Sequence, residues 1–289
     1  MEKYEDSLRT TTPIRSAGVD IHLDVYPQKE KSSPVLIYNH GMASYCRLFV
    51  IPAMRFYRLG YTVVLPDQKG NGFSGGRRGD YTVSEAVQNI LDTVEWTRQN
   101  FSGPRFMMGG SLGGALTYYA AAAGAKVQAI ACINLWDLSE ATQAIDRSVR
   151  LKLLYRLLQW TEPILGHFRI SIERFLKFED LLDPRDFTFV DLWKNDPMIA
   201  KKVSLRHLFS QTHTPPAVPL EKNTVPVIVF NQEKDKILPP HLTRKSYERL
   251  GGLKRYVELQ GWGHWSLQPA FWNTIVEESD KWFKKYSAA

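Results

Sequence analysis

Arg105-Phe-Met-Met-Gly-Gly-Ser-Leu-Gly-Gly-Ala-Leu116 runs from a short apolar stretch, Phe106-Met107-Met108, straight into Gly109-Gly110-Ser111-Leu112-Gly113. The apolar stretch predicts a buried strand. The five residues after it match G-x-S-x-G. From Ala115 to Ala123 the chain is alanine-rich, and alanine is the best helix former, so a helix is predicted there. Strand, sharp turn and helix form the setting in which a serine is held on a strained turn above a sheet. Gly110 and Gly114 leave room for strand and helix to approach. The pattern is weak alone; its weight depends on what stands at the other strand ends.

Working outward, alternation from about Thr12 to Tyr26 around Ala17-Gly18-Val19-Asp20 predicts an antiparallel hairpin. Val35-Leu-Ile-Tyr38 and Thr62-Val-Val-Leu65 are apolar enough for buried strands. Helices are predicted over Val50 to Leu59, closed by Gly60, and over Val83 to Asn100. Beyond the opening stretch, Val127 to Leu135 predicts another strand. The alternation then stops near Asp137, and up to about Pro219 the sequence is amphipathic and helical, with no strand-like run. It resumes with a strand at Val225–Phe230, a helix at Pro239–Leu250, a strand at Lys254–Leu259 and a helix at Pro269–Tyr286. Such alternation predicts an α/β fold: a mostly parallel central sheet with helices on both faces. The domain reading is one core, 1–136 and 220–289, interrupted by a helical insertion at 137–219.

The chain has 289 residues, 44% of them hydrophobic, enough for a sizeable core. Lys+Arg 37 against Asp+Glu 30 gives +7, but the basic residues are scattered, so nucleic acid is not expected as a partner. Cys46 and Cys132 are the only cysteines, too few and too far apart for a disulfide framework or a metal motif. The charged start, Met1-Glu-Lys-Tyr-Glu-Asp-Ser-Leu-Arg-Thr10, is not read as a secretory signal. No apolar run is long enough to span a bilayer, and a cytoplasmic location is expected.

In an open parallel sheet, functional groups gather beyond the carboxyl ends of the strands. Four candidates stand there: His40, Ser111, Asp235 and His264, the last within Gly261-Trp-Gly-His-Trp265. The chain order Ser…Asp…His suits nucleophile, acid and base on this topology. Glu233 is a near competitor for the acid, and Asp137 offers a second seat after the preceding strand. Asp235 is favoured because Ile237-Leu-Pro-Pro240 suits the turn into the next helix. His40 precedes Gly41 and suits shaping a loop, or contacting substrate, rather than acting as base. The remaining histidines, His22, His167, His207, His213 and His241, follow no motif and are read as surface or packing residues.

Taken with the triad, Asn39-His-Gly-Met-Ala-Ser44 and Pro66-Asp-Gln-Lys-Gly-Asn-Gly-Phe-Ser-Gly-Gly-Arg-Arg-Gly79 resemble the α/β-hydrolase superfamily. Within it the chain looks like the monoacylglycerol lipase and serine aminopeptidase-like branch of lysophospholipases and esterases. It departs from that branch at Gln68-Lys69, at Asn71 and at Gln232, where the branch has a glycine shortly before the acid.

The resemblance implies a serine esterase acting without metal or cofactor on an apolar acyl ester. Monoacylglycerols and lysophospholipids are the implied substrates, acyl-homoserine lactones the runner-up, and a non-catalytic ligand-binding protein the different class. Backbone N–H groups of Met42 and Leu112 are the expected oxyanion donors. The insertion is expected to cap the site. Leu151, Leu154, Leu158, Trp160, Phe168, Ile170, Phe175 and Leu176 are its candidate apolar lining. The stripe Val149, Leu153, Leu157, Trp160 has Arg147, Arg150, Lys152 and Arg156 on its other side. That pattern suits either a helix packed on a neighbour or a cap that makes transient contact with a membrane surface.

Overall fold

The computed structural model describes residues 7–140, 160–162 and 164–287. The chain opens with strands β1 (Thr10–Ser16), β2 (Val19–Tyr26) and β3 (Val35–Asn39), then helix α1 (Val50–Arg58) and β4 (Thr62–Pro66). Helix α2 (Val83–Asn100), β5 (Arg105–Gly110), α3 (Leu112–Ala122) and β6 (Ala129–Ile133) follow. Between β6 and the next long strand lie β7 (Arg169–Ser171), α4 (Phe178–Leu181), α5 (Val190–Asn195), β8 (Lys202–Ser204) and α6 (Leu205–His213). The chain closes with β9 (Val227–Gln232), α7 (Pro240–Arg249), β10 (Lys254–Leu259) and α8 (Pro269–Lys285). The basic stripe at 147–158 lies outside the described residues.

Eight strands form one sheet in the order β1-β2-β4-β3-β5-β6-β9-β10. The six strands from β4 to β10 in that order run parallel, and the β1–β2 hairpin joins their edge antiparallel. Period-two alternation divides each strand between two layers. Val35 and Ile37 of β3, with Met107 of β5, face Ala86, Ile90 and Leu116 of α2 and α3. Leu36, Tyr38, Phe106 and Met108 face Phe56 of α1 and Phe271 and Phe283 of α8. Both sheet faces are covered, which is why the central strands read as continuous apolar runs. Thr82 and Glu85 close a reciprocal capping box at the start of α2, a local signal that sets this boundary.

Two expectations are corrected. Helix α3 begins at Leu112, three residues before the alanine run, because Ser111 feeds the helix directly and Gly113 and Gly114 lie inside it. The insertion is not wholly helical: β7 and β8 pair antiparallel as a small second sheet. Strands of three residues are too short to show an alternation. Among the described residues no helix is long and apolar enough to cross a membrane.

The segment around β8 docks on the chain just before α2. Ser204 N–H donates to Gly79 O at 2.9 Å, and Asp80 accepts from Arg206 Nε at 2.5 Å and His167 Nδ1 at 2.7 Å. His207 of α6 is fully buried, with its ring 4.1 Å from that of Tyr81. Burial lowers its pKa to about 4, from an ordinary value of 6.5. Between those values the unfolded chain binds a proton that the folded chain refuses, so stability falls as pH drops through that window. The full loss is about 3 kcal/mol. Denaturant titrations at pH 7.5 and pH 5 should show His207→Asn losing much less stability on acidification than the wild type. Equal losses would contradict a buried neutral His207.

Candidate active site

The chain at the ends of β3 and β5 and the loop after β10 meet at one pocket, and the loop after β9 brings Asp235 against His264. Ser111 sits at the N-cap of α3 with φ 56 and ψ −130, and its N–H donates to Ile133 O at 2.9 Å. A Cβ on Gly113 would collide with the carbonyls of Asn39 and His40, so only glycine lets the turn approach the β3 loop. Among the described residues four non-glycines have positive φ: Ala17, Ala43, Ser111 and Asn134. Ala17 lies in the β1–β2 turn; Ser111 lines this pocket, Ala43 stands between Met42 and Ser44 of its wall, and Asn134 lies beside Asp235. Strain of this kind persists where the surrounding structure over-determines it, and it clusters at functional sites.

His264 is 3% exposed, and its Nδ1 donates to Asp235 Oδ2 at 2.8 Å. Asp235 Oδ1 accepts from the N–H groups of Ile237 and Leu238, each at 2.8 Å, so the turn before Pro239 aims the carboxylate. The competing acids are engaged elsewhere. Glu233 is exposed and accepts from Gly261 N–H at 2.7 Å. Asp137 accepts from Ser139 N–H and Oγ–H and lies 3.6 Å from the Arg249 guanidinium.

The pocket has a volume of about 280 Å³. Ser111, His264, Gly41 and Met42 share its wall with Leu48, Phe49, Leu181, Leu182, Trp193, Trp265 and Leu267. Among the described residues, Asp196 and His264 are the only ionisable side chains on that wall. The Asp196 carboxylate accepts from Tyr45 Oη–H and Met198 N–H, each at 2.8 Å. Leu112 is the first residue of α3, so its N–H has no partner within the helix. It and the Met42 N–H are the two donors expected for an oxyanion.

The walls differ from those expected. Trp160, Phe168 and Phe175 are 81%, 63% and 47% exposed and do not line this pocket. Phe168 instead borders a shallow depression beside Arg77, Arg169 and Lys202. Ile170 and Leu176 are partly buried and do not line it either. Leu151, Leu154 and Leu158 lie outside the described residues. His40 is fully buried away from the pocket. Its Nε2 accepts from Gln68 N–H at 3.1 Å, which leaves Nδ1 protonated to donate to Gly41 O at 2.8 Å. Burial holds its pKa below the ordinary histidine value. A neutral imidazole thus braces the loop that carries Met42, and it does not line the pocket.

Sequence reasoning missed Asp183 and Asp186. Asp183 Oδ2 accepts from Gly263 N–H at 2.8 Å. Asp186 accepts from Ser266 Oγ–H at 2.6 Å and from Leu267 N–H at 3.0 Å. Both flanks of His264 are therefore held by carboxylates of the insertion.

One group among the described residues, His22, Cys46 and Asp67, has metal-ligand spacing. Its chemistry does not suit a cation. His22 Nε2 lies 2.7 Å from Asp24, which also pairs with Arg47 at 3.1 Å. Asp67 is spent on the N–H groups of Cys46 and Phe73. Burial pushes the Cys46 thiol well above its usual pKa, so it stays protonated.

A family model described as serine aminopeptidase, S33, matches residues 30–268, which include Ser111, Asp235 and His264. No curated protein matches the chain by sequence. Among solved structures, a monoacylglycerol lipase from Paleococcus ferrophilus is 19% identical at a TM-score of 0.72, covering 92% of this chain and 99% of that one. A soluble variant of monoglyceride lipase from Saccharomyces cerevisiae, bound to a substrate analogue, is 18% identical at 0.75, covering 97% and 96%. A thermostable carboxyl esterase from Bacillus coagulans, bound to glycerol, is 17% identical at 0.72, covering 97% and 99%.

Proposed function

The chain belongs to the serine aminopeptidase S33 family of α/β hydrolases, and from that premise we propose that it is a serine esterase for apolar acyl esters. The observation that carries the reading is one pocket wall bearing Ser111 on its strained turn and His264 bonded to Asp235 at 2.8 Å. In the proposed reaction His264 Nε2 takes the Ser111 hydroxyl proton as Oγ attacks the ester carbonyl. Asp235 holds the Nδ1–H tautomer and stabilises the imidazolium. The N–H groups of Met42 and Leu112 receive the oxyanion, each such donor contributing about 2.7–4 kcal/mol. Collapse of the tetrahedral intermediate breaks the ester bond, and His264 returns the proton to the departing alcohol. Water, deprotonated by His264, then releases the acid and frees Ser111.

The pocket chemistry narrows the substrate. Apolar walls suit an acyl chain. Asp196 offers a carboxylate that accepts from a hydroxyl and repels an anion. A neutral monoacylglycerol is therefore favoured over an anionic lysophospholipid. An acyl-homoserine lactone is the second reading, since its amide N–H also offers Asp196 a donor. The residues at 137–219 act in this proposal as the cap, and two buried free thiols accord with the cytoplasm. A panel of p-nitrophenyl esters, monoacylglycerols, lysophosphatidic acid and acyl-homoserine lactones tests the reading. Monoacylglycerols are expected to exceed lysophosphatidic acid of equal chain length in kcat/KM by tenfold or more, about 1.4 kcal/mol. A folded protein that hydrolyses none of them would overturn it.

The cap also carries an exposed apolar cluster of Trp160, Ile164, Leu165 and Phe168. With Arg77, Arg169 and Lys202 beside Phe168, it suits transient contact with an anionic membrane surface. Co-sedimentation with phosphatidylserine vesicles at low salt should fall several-fold in a Trp160→Ala/Phe168→Ala variant. No sedimentation of the wild type at low salt would sink this contact.

A further inference from the structure

Gln232 stands where the resembled branch has a glycine, and both it and Asn134 are fully buried. Gln232 Nε2 donates to the carbonyl of His264 at 2.6 Å. Its Oε1 accepts from Asn134 Nδ2 at 3.0 Å. The same Asn134 nitrogen lies 3.2 Å from Asp235 Oδ2, the oxygen that receives His264 Nδ1–H. Chemistry fixes the direction of this chain. A carboxylate and a backbone carbonyl only accept, so Asn134 must present its nitrogen to Asp235, and Gln232 its nitrogen to His264. The Gln232 oxygen is then left for the second hydrogen of Asn134 Nδ2. Both hydrogens of one amide are used, one on the acid and one on the residue that holds the base loop.

The seat of Asn134 is costly, which argues against a packing role. Its φ is 69, a left-handed conformation that asparagine tolerates better than most residues. Its Oδ1 is buried and finds no partner among the described residues. Its carbonyl presses on α3 so closely that a Cβ on Gly114 would collide with it.

We propose that Asn134, held by Gln232, is a positioning residue of the proposed esterase: it pins Asp235 Oδ2 onto His264 and ties the acid to the base loop. This inference rests on the esterase reading. With Ile237 and Leu238 on Oδ1, and His264 and Asn134 on Oδ2, the carboxylate takes four donors and cannot rotate. Asn134 is a neutral donor, so it supports the charged carboxylate without adding charge beside the imidazole.

That last property gives the test. Asn134→Asp places a second acid about 3 Å from Asp235; the two share a proton at low pH and lose it as pH rises. The added negative charge favours imidazolium, and turnover needs neutral His264. The rising limb of kcat/KM should therefore move to higher pH by on the order of one unit. Asn134→Ala adds no charge and should leave the limb in place. It should lower kcat about tenfold at nearly constant KM, counted per site titrated with a fluorophosphonate. Gln232→Gly should lower kcat about threefold, and the double variant should lose less than the product of the two, because the side chains act as a unit. An unmoved limb in folded Asn134→Asp, or wild-type turnover per titrated site in Asn134→Ala, would overturn the proposal, even if the melting temperature falls. Should Asn134→Asp not fold, the Asn134→Ala and Gln232→Gly cycle decides, and additivity overturns the proposal. A wild type that neither titrates nor hydrolyses esters shows instead that the esterase reading has failed.

Discussion

Ser111→Ala should lower ester hydrolysis by at least about a thousandfold while leaving thermal unfolding within a few degrees of wild type. The expectation follows from the seat of the residue. Its backbone is held by β5, α3 and the Ile133 carbonyl, and its hydroxyl faces the pocket rather than capping its own helix. Removing Oγ deletes the bond-forming atom and little packing. Residual hydrolysis roughly a thousandfold above the uncatalysed rate is consistent with the remaining oxyanion donors. Hydrolysis at even a tenth of wild type would place the nucleophile elsewhere.

The second large effect is expected at the acid. Asp235→Asn keeps the shape of the side chain but presents an amide to His264 Nδ1. The imidazole then turns its other nitrogen into the donor, and Nε2 can no longer accept the serine proton. Turnover should drop on the order of a thousandfold to ten-thousandfold. Glu233→Gln and Asp137→Asn should stay within about threefold, because the first carboxylate is exposed on Gly261 and the second is bound to Ser139 and Arg249. Steady-state kinetics of the three variants separate the seats. A large loss in Asp137→Asn alone would move the acid to the end of β6.

The parts legible in the sequence share a physical cause. Strands β3, β5, β6 and β9 are buried on both faces, so each reads as an apolar run whatever its partners. Ser111, Asp235 and His264 sit where strands end, and that placement needs only the order of elements. The pocket wall was not legible for the opposite reason. Leu181 and Trp193 come from helices of four and six residues and Leu182 from the residue after the first, too short to show a stripe, while Trp160 and Phe168 are exposed. Asp183 and Asp186 touch the His264 loop from 80 positions away, and Gln232 reaches Asn134 across 98. Pairings at such separations leave no local mark. Gln232 did leave one, since it departs from the glycine of the branch, and its side chain turns out to bridge Asn134 and the base loop.

The central claim is that Ser111 is a nucleophile activated by His264. Treating the intact protein with a fluorophosphonate and mapping the adduct by peptide mass spectrometry tests it most directly. The account predicts one phosphonyl group per chain, on Ser111, with labelling lost in His264→Ala. An unlabelled Ser111 in folded protein, or a label on another residue, would contradict it and leave a ligand-binding protein on a hydrolase scaffold.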